Sequence, residues 1–183
     1  MLKTKDLVLI ALFAALTAAG GFINIPTPFV PFSLQFLFCA YAGVLLGAKR
    51  ALLSQLLYLA IGLAGLPVFT KGGGVGYLLQ PSFGFLLGFA VCAFIIGLLV
   101  EKTPSPGFVG ITAAVLLGLL SVYLIGTLYL YFIVNYMAAP DSRIPLSRAI
   151  ALGVTPFILF DLIKVVLVSV TSLKILPALG RFR

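Results

Sequence analysis

The chain has 183 residues, 62% of them hydrophobic and only 9% charged, with a formal net charge of +8. A soluble domain is nearer half apolar and a quarter charged, so the composition is that of an integral membrane protein. The excess of cations lies in short connections, which points to membrane topology and not to nucleic-acid binding. Histidine is absent, which excludes serine–histidine and cysteine–histidine catalysis and leaves no His/Cys cluster for a transition metal. The two cysteines, Cys39 and Cys92, fall in apolar segments and read as small buried hydrophobes.

Six apolar segments follow in chain order, over residues 7–23, 34–48, 51–66, 81–100, 108–136 and 149–174. The first, preceded by Lys3 and Lys5, has the look of a signal peptide. With no polar mature domain behind it, it reads as the first membrane helix. Its Ala11/Ala15, Ala14/Ala18 and Ala15/Ala19 pairs have the i,i+4 spacing that lets another helix approach closely. The second and third segments would span only about 22–24 Å at about 1.5 Å per residue, short of a hydrocarbon core about 30 Å thick. Their flanking connections, 25–33 and 66–82, are therefore expected at membrane depth. Non-helical backbone is tolerated there only when buried in protein or lining a cavity. The fourth segment fits a single span, and the fifth, at about 44 Å, must tilt or project.

With six spans, Lys3, Lys5, Lys49, Arg50, Lys102, Arg181 and Arg183 share one side, and Lys71, Arg143 and Arg148 the other. Seven against three places both termini in the cytoplasm. The expected fold is one all-α bundle of six transmembrane helices over residues 1–183, with no separate soluble domain, repeat or low-complexity tail.

The sixth segment carries the most informative residues. Asp161 and Lys164 are the charges deep in a predicted span, three residues apart on one helix face. A charge at mid-membrane costs about 2.5–3.5 kcal/mol on insertion scales, so such residues usually face the interior and carry function. Gly73 and Gly74, in the loop Lys71–Tyr77, allow close backbone approach to a ligand, and Pro67 and Pro81 favour an ordered lid. Gln35, Tyr41 and Gln80 are polar groups near helix ends within reach of such a pocket. Tyr123, Tyr129, Tyr131 and Tyr136 read as interfacial anchors. No GxxxxGK[ST] loop is present, so ATP hydrolysis by this chain is not expected.

The succession PFVPFSLQFLFCAYAGVLLGAKRALLSQLLYLAIGLAGLPVF, then GGGVGYLLQPSFGFLLGF, then FDLIK resembles the BioY family, the biotin-specific substrate-binding S components of energy-coupling-factor (ECF) transporters. The match runs nearly the whole chain, and its central glycine-rich block is highly specific. The resemblance implies a non-enzymatic, six-helix protein of the prokaryotic plasma membrane that captures biotin from outside and needs no cofactor of its own. It implies as partners a transmembrane coupling subunit, docked on the alanine face of the first helix, and two cytoplasmic ATPases. Biotin carries two ureido N–H donors, a carbonyl, a thioether ring and a chain ending in a carboxylate. Asp161 suits the ureido N–H groups, and Lys164 the carbonyl or the chain carboxylate. Two other readings of the residues stand beside this one: a membrane enzyme using Asp161 as acid or base, and an assembly subunit whose Asp161–Lys164 pair only fixes packing.

Overall fold

The structure is a computed structural model that describes residues 3–27, 29–137 and 143–178. The chain begins helix α1 (Thr4–Phe22) with a local device: the Asp6 carboxylate accepts from the Lys3 amide at 3.0 Å, reaching back over the first turn. At the other end Asn24 donates its side-chain amide to the Gly21 carbonyl at 2.6 Å, and Pro26 follows where the helix has stopped. The proline-rich connection then folds back on itself. Strand β1 (Asn24–Ile25) pairs antiparallel with β2 (Phe32–Ser33), Asn24 opposite Ser33 and Ile25 opposite Phe32. The expectation of a purely helical chain is corrected to that extent.

Helices α2 (Gln35–Leu46) and α3 (Ala48–Leu63) are as short as their sequences required. Gly47, at φ +80°, turns the chain between them in one residue, a conformation costly for any residue with a side chain. A short 3₁₀ helix (Val75–Leu79) interrupts the next connection. Helices α4 (Phe83–Lys102) and α5 (Phe108–Met137) pack backbone to backbone: a side chain at Gly88 would meet Val122 Cα at 2.8 Å, and one at Gly126 would strike the Phe85 ring at 2.4 Å. Helix α4 is the central element, in contact with α2, α3 and α5.

The last apolar segment is not the single helix expected over 149–174. It forms α6 (Leu146–Gly153) and α7 (Ile158–Ala178), bent by 49° across the break between them. Pro156 lies in that break, where its ring disfavours helical geometry at the preceding residue. Asn135, near the end of α5, clasps the segment leading into α6, donating to the Ile144 carbonyl at 3.0 Å and accepting from its amide at 2.8 Å.

Among the described residues, α1, α4 and α5 are long and apolar enough to cross a membrane, and the bent α6–α7 pair makes a fourth candidate. Two groups of connections mark the ends of the bundle. The β pair, the 64–82 connection and the start of α7 share the loop end; the N-terminus of α1, Gly47 and the 103–107 connection share the other. Arg181 and Arg183, counted on the latter side from sequence, lie outside the described residues.

Candidate functional site

A cavity opens among the β pair, the 64–82 connection, α2, α4, α5 and α7. Phe36, Phe85, Leu86, Phe89 and Leu119 give it apolar walls. Because the chain breaks before Ile158, Asp161 stands in the first turn of α7, where the helix dipole favours a carboxylate. Lys164 follows on the same face. Both are nearly sealed from the surface, at 7% and 6% exposure, and both line the cavity.

Their hydrogen bonds extend into a network. Lys164 Nζ donates to Asp161 Oδ1 at 2.8 Å and to the Ser33 carbonyl at 2.8 Å, and lies 4.3 Å from the centre of the Phe32 ring. Tyr123 donates its hydroxyl to Asp161 Oδ2 at 2.8 Å. Ser33 donates to Gln35 Oε1 at 3.0 Å, and Gln35 donates its amide to the Tyr58 hydroxyl. Gly20 and Gly21 make room for this arrangement: a side chain on Gly20 would meet the Leu34 backbone at 2.9 Å, and one on Gly21 would meet Gln35 Nε2 at 3.1 Å. A carboxylate with unused acceptor sites, beside an ammonium with one N–H outside these two bonds, suits a neutral group bearing both donors and an acceptor.

Of the residues singled out from sequence, the structure brings together Asp161, Lys164 and Gln35 at this cavity. Tyr41 does not line it; its hydroxyl lies 2.7 Å from Thr171 Oγ1. Gln80 does not line it either, closing instead the turn into α4 through backbone bonds to Tyr77 and Phe83. Gly73 and Gly74 belong to an ordered loop, but their close approach is to the end of α3. A side chain on Gly73 would collide with the Leu66 carbonyl at 2.1 Å, and Gly74 donates to the Gly62 carbonyl at 2.7 Å. The loop reaches the cavity through Thr70 and Ser82 instead. On α1, Ala11, Ala15 and Ala19 are exposed, Ala14 is buried and Ala18 half-buried.

Tyr123, Ser33, Thr70 and Ser82 were not anticipated as lining residues. Tyr123 and Tyr129 are not plain anchors: one bonds Asp161, and the other donates to the Leu78 carbonyl and so holds the loop down. Tyr123 carries a weak signal, a polar tip on the longest apolar helix.

This architecture and its cavity have counterparts. The family model described as the BioY family matches residues 1–181. The chain belongs to that family. A BioY protein of Lysinibacillus sphaericus, named a probable biotin transporter, is 51% identical over 133 residues, 73% of this chain and 68% of its own. The biotin transporter BioY of Thermotoga maritima is 38% identical over 172 residues, 93% of this chain and 95% of its own. A solved structure described as the S-component for biotin from an ECF-type ABC transporter matches with a TM-score of 0.81 at 32% identity, covering 96% of this chain and 94% of that one. These BioY relatives carry the names of transporters, not of enzymes.

Proposed function

We propose that this chain is the S component of an ECF-type transporter and that it captures biotin in the cavity beside Asp161 and Lys164. The observation that carries the reading is the buried carboxylate–ammonium pair facing that cavity. The ureido ring offers two N–H donors to Asp161 and a carbonyl to Lys164, while the phenylalanine and leucine walls take the thioether ring and chain. Family membership and the likeness to a biotin S-component support the same ligand.

The single unit over residues 1–183 then makes six traverses of a prokaryotic plasma membrane, with α2 and α3 as short spans and α6–α7 as one bent span. Both termini lie in the cytoplasm with Lys3, Lys5, Lys49, Arg50 and Lys102, and the loop end opens outward. The protein needs no cofactor; ATP is used by two partner ATPases acting through a transmembrane coupling subunit. The exposure of Ala11, Ala15 and Ala19 favours that register, over Ala14/Ala18, as the docking face.

The test is thermal stability of the purified protein in detergent. Biotin at about 100 times its dissociation constant stabilises by about 2.7 kcal/mol, and thiamine or riboflavin leaves the melting temperature unchanged. Equal response to all three, or to none, overturns the reading.

A further inference from the structure

Helix α1 is apolar on both of its faces: Leu7, Val8 and Leu12 are exposed, while Ile10, Phe13 and Ala14 are buried. In a bilayer, lipid is as apolar as the packed interior, so hydrophobicity does not tell such a helix which face to turn inward. Its rotation must be set by something else. The exposed residues Ala11, Ala15 and Ala19 recur every four positions and so share one face. Thr17 is two residues beyond Ala15, about 200° around the helix at about 100° per residue. It therefore points away from the alanine face and into the bundle, where it is fully buried.

There it meets a polar cluster on α3. Gln55 donates its side-chain amide to the hydroxyls of Thr17 and Ser54, both at 3.2 Å, and all three residues are sealed from the surface. The two hydroxyls have acceptors of their own: Thr17 donates to the Phe13 carbonyl at 2.8 Å and Ser54 to the Ala51 carbonyl at 2.7 Å. Gln55 Oε1, by contrast, accepts from no group among the described residues. A buried acceptor left so is a net cost, and Gln55 does not line the cavity, so ligand capture does not explain it. A polar side chain kept in an apolar helix interface at the expense of stability is a means of fixing register.

We propose that Gln55 is a positioning residue for partner docking: its bond to Thr17 fixes the rotation of α1 about its own axis and so keeps Ala11, Ala15 and Ala19 turned outward. This rests on the docking face proposed above. The Asp6–Arg50 pair also ties α1 to its neighbours, but at a partly exposed position and through a long, screened side chain. Near the far end, Gly20 and Gly21 let α1 approach Leu34 and Gln35 closely without side chains of their own to lock it. Thr17 and Gln55 act between these two, within the apolar run, where a rotation of α1 would leave the Gln55 amide short of an acceptor.

The experiment measures three things on the full chain: melting temperature, biotin affinity and co-purification with the coupling subunit. Gln55→Leu removes the unpaired carbonyl and leaves Thr17 and Ser54 donating to Phe13 and Ala51 as before. Its melting temperature does not fall and its biotin affinity is unchanged, yet co-purification drops roughly fivefold, by the fraction of molecules with the alanine face turned away. Thr17→Val, which removes the acceptor, shows the same docking loss, and Thr17→Ser, which keeps it, does not. Undiminished docking in both Gln55→Leu and Thr17→Val overturns the inference. So does a fall in melting temperature and biotin affinity in Gln55→Leu, which makes Gln55 a prop of the bundle, or a docking loss in Thr17→Ser equal to that in Thr17→Val. Ala15→Arg measured alongside separates the parent reading: if that variant still docks, the alanine face is not the docking surface and both fall together.

Discussion

Asp161–Lys164 and Asp6–Arg50 both close at 2.8 Å, yet they stand at opposite ends of the bundle in opposite surroundings. The side chains of the first pair are 10% and 8% exposed; those of the second are 18% and 35%. Asp6 also accepts from the Lys3 amide, and Arg50 donates Nε to the Leu46 carbonyl at 2.8 Å, so that pair staples the start of α1 to the α2–α3 turn. Asp161 and Lys164 bond to a tyrosine and a strand carbonyl around an open cavity. Equal distances thus conceal different work. One pair is accessible, screened and structural; the other is held out of water, where neither member tolerates loss of its partner.

Variants sharpen that contrast, and the largest effect belongs to the buried pair. Lys164→Met leaves Asp161 uncompensated in the interior. Breaking such a pair costs about 3–5 kcal/mol, so the melting temperature falls and biotin binding is lost, both read in one thermal titration. Ala15→Arg acts at a distance from the cavity, adding bulk and charge to the exposed alanine face of α1. It leaves biotin affinity unchanged but abolishes co-purification with the coupling subunit and, with it, ATP-dependent uptake. Retained co-purification places docking elsewhere. The smallest effect is expected for Asp6→Asn. Biotin affinity is unchanged, and a slight loss of thermal stability disappears at high salt, where the ordinary pair is screened as well. A biotin-binding defect in this variant would break the distinction between the two ends.

The legibility of each residue follows from the range of its contacts. Asp161 and Lys164 were readable because a charge in an apolar run needs a partner, and each is the other's, one helical turn away. Gln35 was readable from its place at a helix start. The brevity of α2 and α3 followed from Pro31, Lys49-Arg50 and Pro67, which bound the apolar runs. Tyr123 was obscured because its partner lies 38 residues on, and a tyrosine in a membrane helix is ordinarily an anchor. Gly73 misled because a glycine permits close approach without naming the neighbour, which is the Leu66 carbonyl. The α6–α7 break had a local sign in Gly153 and Pro156, outweighed by the hydrophobicity of the whole run. The two-residue strands carry no pattern long enough to read, since alternation needs about four residues to register.

The central claim is that the Asp161 carboxylate, as a charged acceptor, holds the ligand. Its most direct test is the equilibrium affinity of the Asp161→Asn variant for biotin, measured beside the unaltered protein. Asparagine keeps the shape and removes the charge, and a hydrogen bond to a charged group contributes about 1.5–3 kcal/mol. Affinity is expected to fall at least about tenfold in a variant that still inserts and purifies. An unchanged dissociation constant would contradict the account.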